Sequence, residues 1–330
     1  MGDTVLILRT CNEDLTSWGD FQWPSSGPVE ASDWIPIPEC GYGLHGLEEG
    51  KGSGFLLDRT QNAKWLVVEV EKSEIVSLGN KVKFPRGNVV HCGDQLSATR
   101  YLLEHGVTGP IVGGTFETSH HGHSVTGDDG LSITGHHGVA TTGQRGVSIA
   151  GVEGQAKADQ SGKALVGSYG KAITGAFGFS FTDRKGEART GMDGLAVSMG
   201  GGVSISGTGG TSLSYGGLAL TADYGHAFVL VSGGKGQAGA QGHVVVTSHG
   251  TAITGPMGFS EAGEYGRASS GENGMIQISY TEFPSGRRRL ATGYIGEDGL
   301  EPNVLYRLDE VTHKFIKSTN QDDVETSTHE

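Results

Sequence analysis

The sequence has few of the features that mark several protein classes. Only three of its 330 residues are cysteine, Cys11, Cys40 and Cys92, and none forms a CxxC motif, so a disulfide framework is not expected. Proline is scarce, at nine residues, and the 58 glycines do not follow a Gly-X-Y repeat, which excludes a collagen-like chain. The start lacks a basic segment, and its first apolar run, VLIL, is too short for a signal peptide or a membrane span. These absences predict a soluble protein of the reducing cytoplasm.

Charge is also unevenly distributed along the chain. Most of the formal net charge of −13 falls in residues 1–110 and 281–330, and the repetitive middle is close to neutral. A nucleic-acid-binding protein would be expected to carry a basic surface. Nucleic acid is therefore not an expected partner, and neither is a membrane.

Glycine, by contrast, is abundant and occurs at a fixed spacing. From Gly122 to Gly210 a glycine recurs every eight residues, and the residue two positions later is always Ala or Ser. The phase slips by one near Gly217 and again before Gly242, then continues to Gly274. A fixed repeat over this length predicts a solenoid.

Alternation along a strand divides the residues of each octad between two sides. Gly130, Ser132 and Thr134 exemplify the small residues that share one side. Charged residues such as Lys157 and Arg189 belong to the other set, and they cannot line a narrow interior unpaired. The small set is therefore predicted to point inward, with only Ala, Ser, Thr and Gly inside a very thin β-solenoid.

The outward residues predict about 16 residues in each coil, because every second octad is mostly apolar and the octads between them carry most of the charge. One face then becomes an apolar strip, and large apolar patches on soluble proteins mark interfaces. The strip would be covered within the chain, by a second copy, or by an unrelated partner. Its predicted residues are Leu131, Ile133, Val147, Ile149, Leu165, Phe179, Phe181, Leu195, Val197 and Leu213.

The predicted fold class is mainly β, with a small N-terminal α+β domain at residues 1–110. Its strands are expected at VLILRT, WLVVEV and NVVHC, and its helix is expected to begin after Asp94 and to end at Gly106. Leu96, Leu102 and Leu103 are expected to pack on the sheet. The solenoid then spans residues 111–280, and residues 281–318 form a β cap that protects its open end. Residues 319–330 form a disordered acidic tail.

Several segments together resemble an uncharacterised family encoded mainly by phages, prophages and actinobacteria. In that family a Cys-x-x-Gly-(Leu/Phe)-His motif precedes similar repeats and a strand cap. Residues 40–45, CGYGLH, match the motif, and Tyr306 and Phe315 match the cap pattern. The resemblance implies the order of the domains and the fold but no activity. The repeats are also similar to the heads of trimeric surface adhesins, although no secretion signal, coiled-coil stalk or membrane anchor is apparent.

Three residues of the N-terminal domain form a candidate pocket: Arg9, His45 and Glu69. They faintly resemble the set in ADP-ribosyltransferase-like folds, where a strand Arg or His holds the nucleotide and a Glu contacts the sugar. The Ser-Thr-Ser or Tyr step of those folds is missing. Catalysis, a nucleotide-binding relic and a structural role for His45 are the alternatives.

A histidine cluster lies at the start of the repeats. In a 16-residue coil His121 would stack on His137 and His120 on His136, close enough for a shared zinc ion. No carboxylate or thiol completes a ligand set with these residues or with His123. A metal site is therefore not expected.

A series of threonines suggests an ice-binding ladder. In the predicted register they occupy inward or corner positions rather than a flat outward face, which argues against that function. The threonines are Thr126, Thr134, Thr142, Thr174, Thr182 and Thr190.

The sequence thus favours a non-enzymatic interaction or structural protein of phage or prophage origin, without cofactors. The solenoid would be a scaffold or an oligomerisation surface for a second copy or for a host or phage protein. The alternative is a nucleotide-binding or ADP-ribosyltransferase-like domain carried on a solenoid. A pocket that joins Arg9 and His45 would favour this alternative.

Overall fold

The computed structural model describes residues 3–318, so the predicted acidic tail lies outside the described residues. Contacts group the chain into two units, residues 1–149 with 157–162 and residues 150–156 with 163–330. The predicted fold class is confirmed, because most elements are strands and the repeats form a β-solenoid with about 16 residues per coil. None of the helices between residues 3 and 318 has the length and hydropathy of a membrane span.

The first unit begins with a seven-stranded antiparallel sheet of order β4-β9-β6-β1-β5-β8-β7. Beside it lie a two-stranded ladder of β2 with β3 and the helix α1. Short 3₁₀ helices span Trp18–Asp20, Gly54–Leu56 and Lys72–Glu74. The bounds are β1 Thr4–Cys11, β2 Thr16–Ser17, β3 Phe21–Gln22, β4 Gly27–Glu30, β5 Leu44–Glu48, β6 Lys64–Glu71, β7 Val76–Ser77, β8 Val82–Phe84, β9 Arg86–Gly93 and α1 Gln95–Glu104.

Helix α1 begins and ends as predicted. The Asp94 carboxylate accepts a hydrogen bond from the Ser97 backbone N–H, and the Ser97 hydroxyl lies 3.0 Å from the Asp94 backbone nitrogen, which completes a capping box. Gly106, just beyond the helix, has a φ of +87°, a conformation that glycine adopts without strain. Leu102 is fully buried, but Leu96 is 40% exposed. The expectation that Leu96 packs on the sheet is therefore wrong.

The repeats form two parallel ladders, one of even-numbered and one of odd-numbered strands. In the second unit Leu165 pairs with Phe181, and Ile173 pairs with Arg189, 16 residues further on. The bounds are β10 Thr115–Thr118, β11 His123–Val125, β12 Leu131–Thr134, β13 Val139–Thr142, β14 Val147–Ala150, β15 Gln155–Ala158, β16 Lys163–Val166, β17 Lys171–Thr174, β18 Phe179–Arg184, β19 Glu187–Arg189, β20 Leu195–Met199, β21 Val203–Ser206, β22 Thr211–Ser214, β23 Leu218–Thr221, β24 His226–Val229, β25 Lys235–Gln237, β26 His243–Val246, β27 Thr251–Ile253, β28 Phe259–Ala262, β29 Arg267–Ser269 and β30 Met275–Glu282.

The solenoid interior is lined by the small residues that the register predicts. Ala164, Ala172 and Ser180 are fully buried. The hydroxyls of the inward serines form hydrogen bonds across the interior. For example, Ser180 Oγ donates to the carbonyl of Arg189 at 2.6 Å, and Ser204 Oγ donates to the carbonyl of Leu213 at 2.8 Å. A hydroxyl bonded in this way can be buried without a large free-energy cost.

The interior is not restricted to Ala, Ser, Thr and Gly, so that part of the prediction is wrong. Val166, Val244 and Val246 are also buried. Gly236 explains how Val244 fits, because a Cβ at Gly236 would lie only 2.5 Å from Val244 Cγ1. A missing side chain on one strand thus makes room for a larger one on its neighbour.

Glycine is required at the octad positions because neighbouring atoms approach its Cα closely, and not because the backbone has an unusual φ there. A Cβ at Gly178 would lie 2.2 Å from Thr174 Oγ1, and one at Gly194 would lie 3.0 Å from the carbonyl oxygen of Gly178, one coil earlier. The residue before the glycine takes the left-handed conformation instead, as at Phe177, where φ is +57°, and at Tyr169, where it is +61°. Each corner is therefore formed by a left-handed residue followed by a glycine that lets the coils stack.

The solenoid ends in the strands β31 Arg287–Tyr294, β32 Tyr306–Leu308 and β33 Phe315–Lys317. Strand β31 pairs antiparallel with β30, and β32 pairs antiparallel with β29 and β33. Ile276, Ile278 and Tyr306 form part of a buried cluster at this end. The antiparallel strands occupy the last edges of the parallel ladders, where unpaired strands could otherwise recruit another chain.

Within the first unit, Asp129 joins the N-terminal domain to the first coils. Its side chain is 4% exposed and lies 2.6 Å from Arg59 Nη1 and 2.6 Å from Arg145 Nη2. The Arg145 guanidinium also lies 4.6 Å from the centre of the Phe55 ring. Burial alone would raise the pKa of Asp129, but the hydrogen bonds from Arg145 and Arg59 outweigh it and lower the pKa.

We expect Asp129→Asn to lower the free energy of unfolding at neutral pH by about 2 kcal/mol, since it removes the negative charge between two arginines and leaves one of them without an acceptor on this side chain. A lowered native pKa means that this stabilisation is lost as the pH falls through that pKa. Thermal melts at neutral and acid pH should therefore show a gap between wild type and variant that narrows in acid. Asp128→Asn is the matched control, because its Oδ1 can still accept from the backbone of Gln144. Equal melting of all three proteins at neutral pH would contradict this role.

Candidate functional site

Part of one sheet of the solenoid presents outward residues that include no Asp, Glu, Lys or Arg. Outward side chains of successive even-numbered strands pair in register, so that Leu165, Phe181 and Val197 form one column that continues through Leu213 and Phe228. We define the apolar face as the first and third residues of β18, β20, β22, β24 and β26, none of which is Asp, Glu, Lys or Arg; the exposed Asp183 and Arg184 end β18 beside this face. They are Phe179, Phe181, Leu195, Val197, Thr211, Leu213, His226, Phe228, His243 and Val245.

Rings stack along one part of the apolar face. The Phe228 ring lies 6.3 Å from that of His226 and 6.2 Å from that of His243, and the His243 ring stacks on Phe259 at 4.8 Å. Burial, followed by the nearby His226, lowers the pKa of His243, so this imidazole is neutral at neutral pH. The aromatic ladder fixes the side chains and adds no charge at this position.

The opposite sheet of the second unit is different in chemistry. Its outward residues include Lys171, Glu187 and Arg189, and Lys171 Nζ lies 3.5 Å from a Glu187 carboxylate oxygen. Arg189 also contacts Glu187. Such groups are strongly hydrated, so the two faces of the solenoid offer water different surfaces.

The predicted apolar strip contributes five residues to the apolar face, and Leu165 continues its column. Leu131 and Ile133 pair with Val147 and Ile149 in the first unit. An interface role for any of these residues stays a prediction. Sequence reasoning missed Phe228 and Val245, because the coil shortens to 15 residues between Val203 and Leu218 and lengthens to 17 between His226 and His243. Spacing along the chain gives no signal for them, because the corners absorb each slip while the outward column continues.

In the N-terminal domain the structure joins two of the three predicted pocket residues. Arg9 Nη1 donates to the backbone carbonyl of His45 at 2.8 Å, and both line a pocket of about 560 Å³. Glu69 does not line this pocket, and its Oε1 accepts from Thr4 Oγ1 at 3.1 Å. Burial, followed by the charges of Lys81 and Arg9, lowers the pKa of His45 to about 4. His45 is therefore neutral at neutral pH.

The histidines stack as the 16-residue period predicts. The ring centres of His120 and His136 are 4.8 Å apart, and those of His121 and His137 are 4.9 Å apart. His120 Nδ1 accepts from the backbone N–H of His136 at 2.9 Å. This hydrogen bond gives His120 a structural role, because it links the corner of one coil to the corner of the next coil.

The threonines of the predicted inward register are buried. They range from fully buried at Thr182 to 8% exposed at Thr190. Several bond to inward serines; for example, the hydroxyl oxygens of Thr174 and Ser180 are 3.2 Å apart. This series therefore does not form an outward ladder of threonines.

Known proteins show similarity to parts of the chain. A family described as "Domain of unknown function (DUF7666)" matches residues 5–104. The chain is 41% identical over 105 residues to the ice nucleation protein InaU of Pantoea ananas, and 39% identical over 102 residues to an ice nucleation protein of Pseudomonas syringae. These matches cover 31% and 30% of this chain but only 10% and 9% of the relatives' length. No solved structure matches the chain.

These relatives correct the functional prediction. The predicted phage or prophage interaction protein is wrong, because the matched proteins are named ice nucleation proteins and the matched domain family has no described function. The resemblance to a phage and actinobacterial family is wrong on the same ground. The comparisons do not support the ADP-ribosyltransferase-like alternative or the cytoplasmic location, and they indicate no enzyme family.

Proposed function

We propose that the solenoid orders water on its apolar face and takes part in ice nucleation without acting as an enzyme. The observation that carries this proposal is the regular, uncharged array of outward residues in a chain whose relatives are named ice nucleation proteins. The proposal concerns this chain alone, because it spans a tenth or less of those relatives' length.

The repeat of the array supports the proposal. Neighbouring strands lie about 4.8 Å apart, and alternate residues of one strand lie about 6.6 Å apart. Both repeats are comparable to the lattice repeats of hexagonal ice. A surface with such spacing presents side chains to water at regular intervals from coil to coil, which a surface of irregular loops does not.

The chemistry of the face supports it as well. A charged group orients its first water shell around itself, in an arrangement that ice does not have. Apolar side chains instead restrict the orientation of the adjacent water without binding it strongly. The hydroxyl of Thr211 can anchor water between the apolar groups. The opposite sheet also has apolar outward residues, such as Ile205 and Leu220, but Lys171, Glu187 and Arg189 add charge to it.

Rigidity is the third requirement, because an ordering surface must not fluctuate more than the lattice it templates. β-branched and aromatic side chains have few rotamers, and those of the apolar face stand on strands that are hydrogen-bonded on both sides. The entropy lost on ordering the surface is thus small. The array can therefore order water without first having to order itself.

Partitioning into ice tests the proposal. When a dilute solution of the full chain freezes slowly from one cold surface, we expect the protein to be enriched in the ice relative to the remaining liquid. A soluble globular protein of similar mass serves as the control and should be excluded into the liquid. Exclusion of the chain to the same extent as the control would overturn the proposal.

A further inference from the structure

Exposed aromatic side chains line the pocket of about 560 Å³ in the N-terminal domain. Trp18 is 98% exposed and Tyr42 is 48% exposed, and both belong to the pocket lining. The volume lies within the range of about 300–1,000 Å³ that small-molecule sites have. An aromatic ring beside a concave surface offers a flat apolar contact to a ligand. The Trp18 ring packs against almost nothing in the domain, so it is free to make such a contact.

The backbone around Tyr42 fixes its position. Tyr42 has a φ of +55° and lies between Gly41, with a φ of +95°, and Gly43, with a φ of +135°. Gly43 packs closely on the Trp34 ring, because a Cβ at this position would lie only 2.6 Å from a ring carbon. This contact anchors the loop that carries Tyr42, so Tyr42 keeps its place at the pocket.

Other residues of the pocket are held by contacts with one another. Trp23 Nε1 donates to Ser17 Oγ at 3.0 Å, and the Phe21 ring meets that of Trp23 edge-on, with the ring centres 5.3 Å apart. The Arg9 guanidinium lies 4.7 Å from the centre of the Trp23 ring, and its Nη1 donates to the His45 carbonyl. A ligand therefore does not have to order these side chains when it binds.

Charged groups of both signs line the pocket. Arg9 and Lys81 are cations and Asp33 is an anion, and within residues 3–318 the Asp33 carboxylate forms no ion pair or hydrogen bond. An anionic ligand would meet Asp33, and a cationic ligand would meet Arg9, which already lies over the Trp23 ring. A purely apolar ligand would take these charged groups out of water without pairing them. The ligand that fits is uncharged and carries many hydroxyl groups.

We propose that this pocket binds a neutral carbohydrate. A sugar ring has an apolar face of C–H groups that stacks on an exposed Trp or Tyr ring, and its hydroxyls both donate and accept hydrogen bonds. Trp18 and Tyr42 supply the stacking surface, Asp33 accepts from hydroxyls, and Arg9 and Lys81 donate to them. The pocket lies in a different domain from the apolar face, so this site does not depend on the proposed role in ice nucleation.

Isothermal titration calorimetry of the folded full chain tests the site with four neutral hexasaccharides: cellohexaose, N-acetylchitohexaose, laminarihexaose and maltohexaose. We expect saturable one-to-one binding of at least one of them. Its affinity should be nearly the same at low and high salt, because salt screens only the interactions between charges. Failure of all four to bind, or an affinity that falls steeply with salt, would overturn the proposal.

Two exposed aromatic residues provide a test variant and its matched control. Trp18→Ala should weaken binding by about ten-fold or more, because it removes the stacking surface. Phe283 is 90% exposed and lies outside the N-terminal domain, so Phe283→Ala should bind like the wild type. Circular dichroism confirms that each variant is folded, and the wild-type titrations test the proposal if Trp18→Ala is not. Wild-type affinity in folded Trp18→Ala, or an equal loss in both variants, would contradict binding in this pocket.

Discussion

Ala164→Leu is expected to prevent the repeats from folding normally. Ala164 is fully buried and pairs with the inward Ser180 of the neighbouring strand, so three added carbon atoms have no space between the two sheets. Overpacking costs about 1–3 kcal/mol in ordinary cores, and this interior is thinner than those. We expect a clear drop in melting temperature measured by circular dichroism, or no soluble protein.

Lys163→Leu is the matched control for this substitution. Lys163 precedes Ala164 on the same strand, but its side chain points outward and is exposed. It should melt close to the wild type. If Ala164→Leu also melts like the wild type, the small residues do not line a closely packed interior, and the register described above is incorrect.

Phe181→Asp combined with Val197→Asp should abolish partitioning into ice and leave the fold intact. These residues are outward neighbours on adjacent strands, so the pair places two charges, with their own hydration shells, in the middle of the apolar face. Ile205→Asp with Leu220→Asp is the matched control, since those residues are outward neighbours on the opposite sheet. The control pair should retain partitioning. Equal loss in both variants would indicate a general effect of charge rather than a role for the apolar face.

Light scattering of the same variants tests the prediction that a second copy covers this face. If the face is buried between copies in a symmetric contact, the wild type associates, and the Phe181→Asp and Val197→Asp variant becomes a folded monomer. If the face orders water as proposed, we expect it to be accessible to solvent in the wild type. A wild-type dimer that only these two substitutions dissociate would therefore favour self-association over contact with ice.

Much of the fold could be predicted from the sequence, because the octad repeat constrains it at every coil. The positions of Ala164 and Ser180 follow from alternation and the need to keep charge out of a thin interior. The N-cap of α1 follows from Asp94. The left-handed residue at Phe177 could not be predicted, since the repeat marks the glycine that follows and that glycine is needed for close stacking instead.

The candidate functional surface is harder to predict, for two reasons. Phe228 and Val245 cannot be assigned to the face from the octad spacing, because spacing along the chain does not show whether a strand or a corner absorbs a slip in the repeat. The inward threonines, such as Thr182, were correctly placed, but their burial excludes only an outward threonine ladder. It does not exclude water ordering by other residues of the same solenoid.

The size of the apolar face sets how strong its effect can be. Five strands about 4.8 Å apart span about 19 Å, and a template nucleates ice only when it is comparable in size to the critical ice embryo. That embryo shrinks as supercooling deepens. A single chain should therefore raise the freezing temperature only in strongly supercooled droplets.

The median freezing temperature of small, uniform water droplets tests the central claim most directly. Droplets that contain the wild-type chain should freeze at a higher temperature than droplets of buffer, and the difference should decrease with dilution. Droplets with the folded Phe181→Asp and Val197→Asp variant should freeze like buffer, while those with the Ile205→Asp and Leu220→Asp control should freeze like the wild type. Wild-type droplets that freeze at the same temperature as buffer at every protein concentration would contradict the proposed role in ice nucleation.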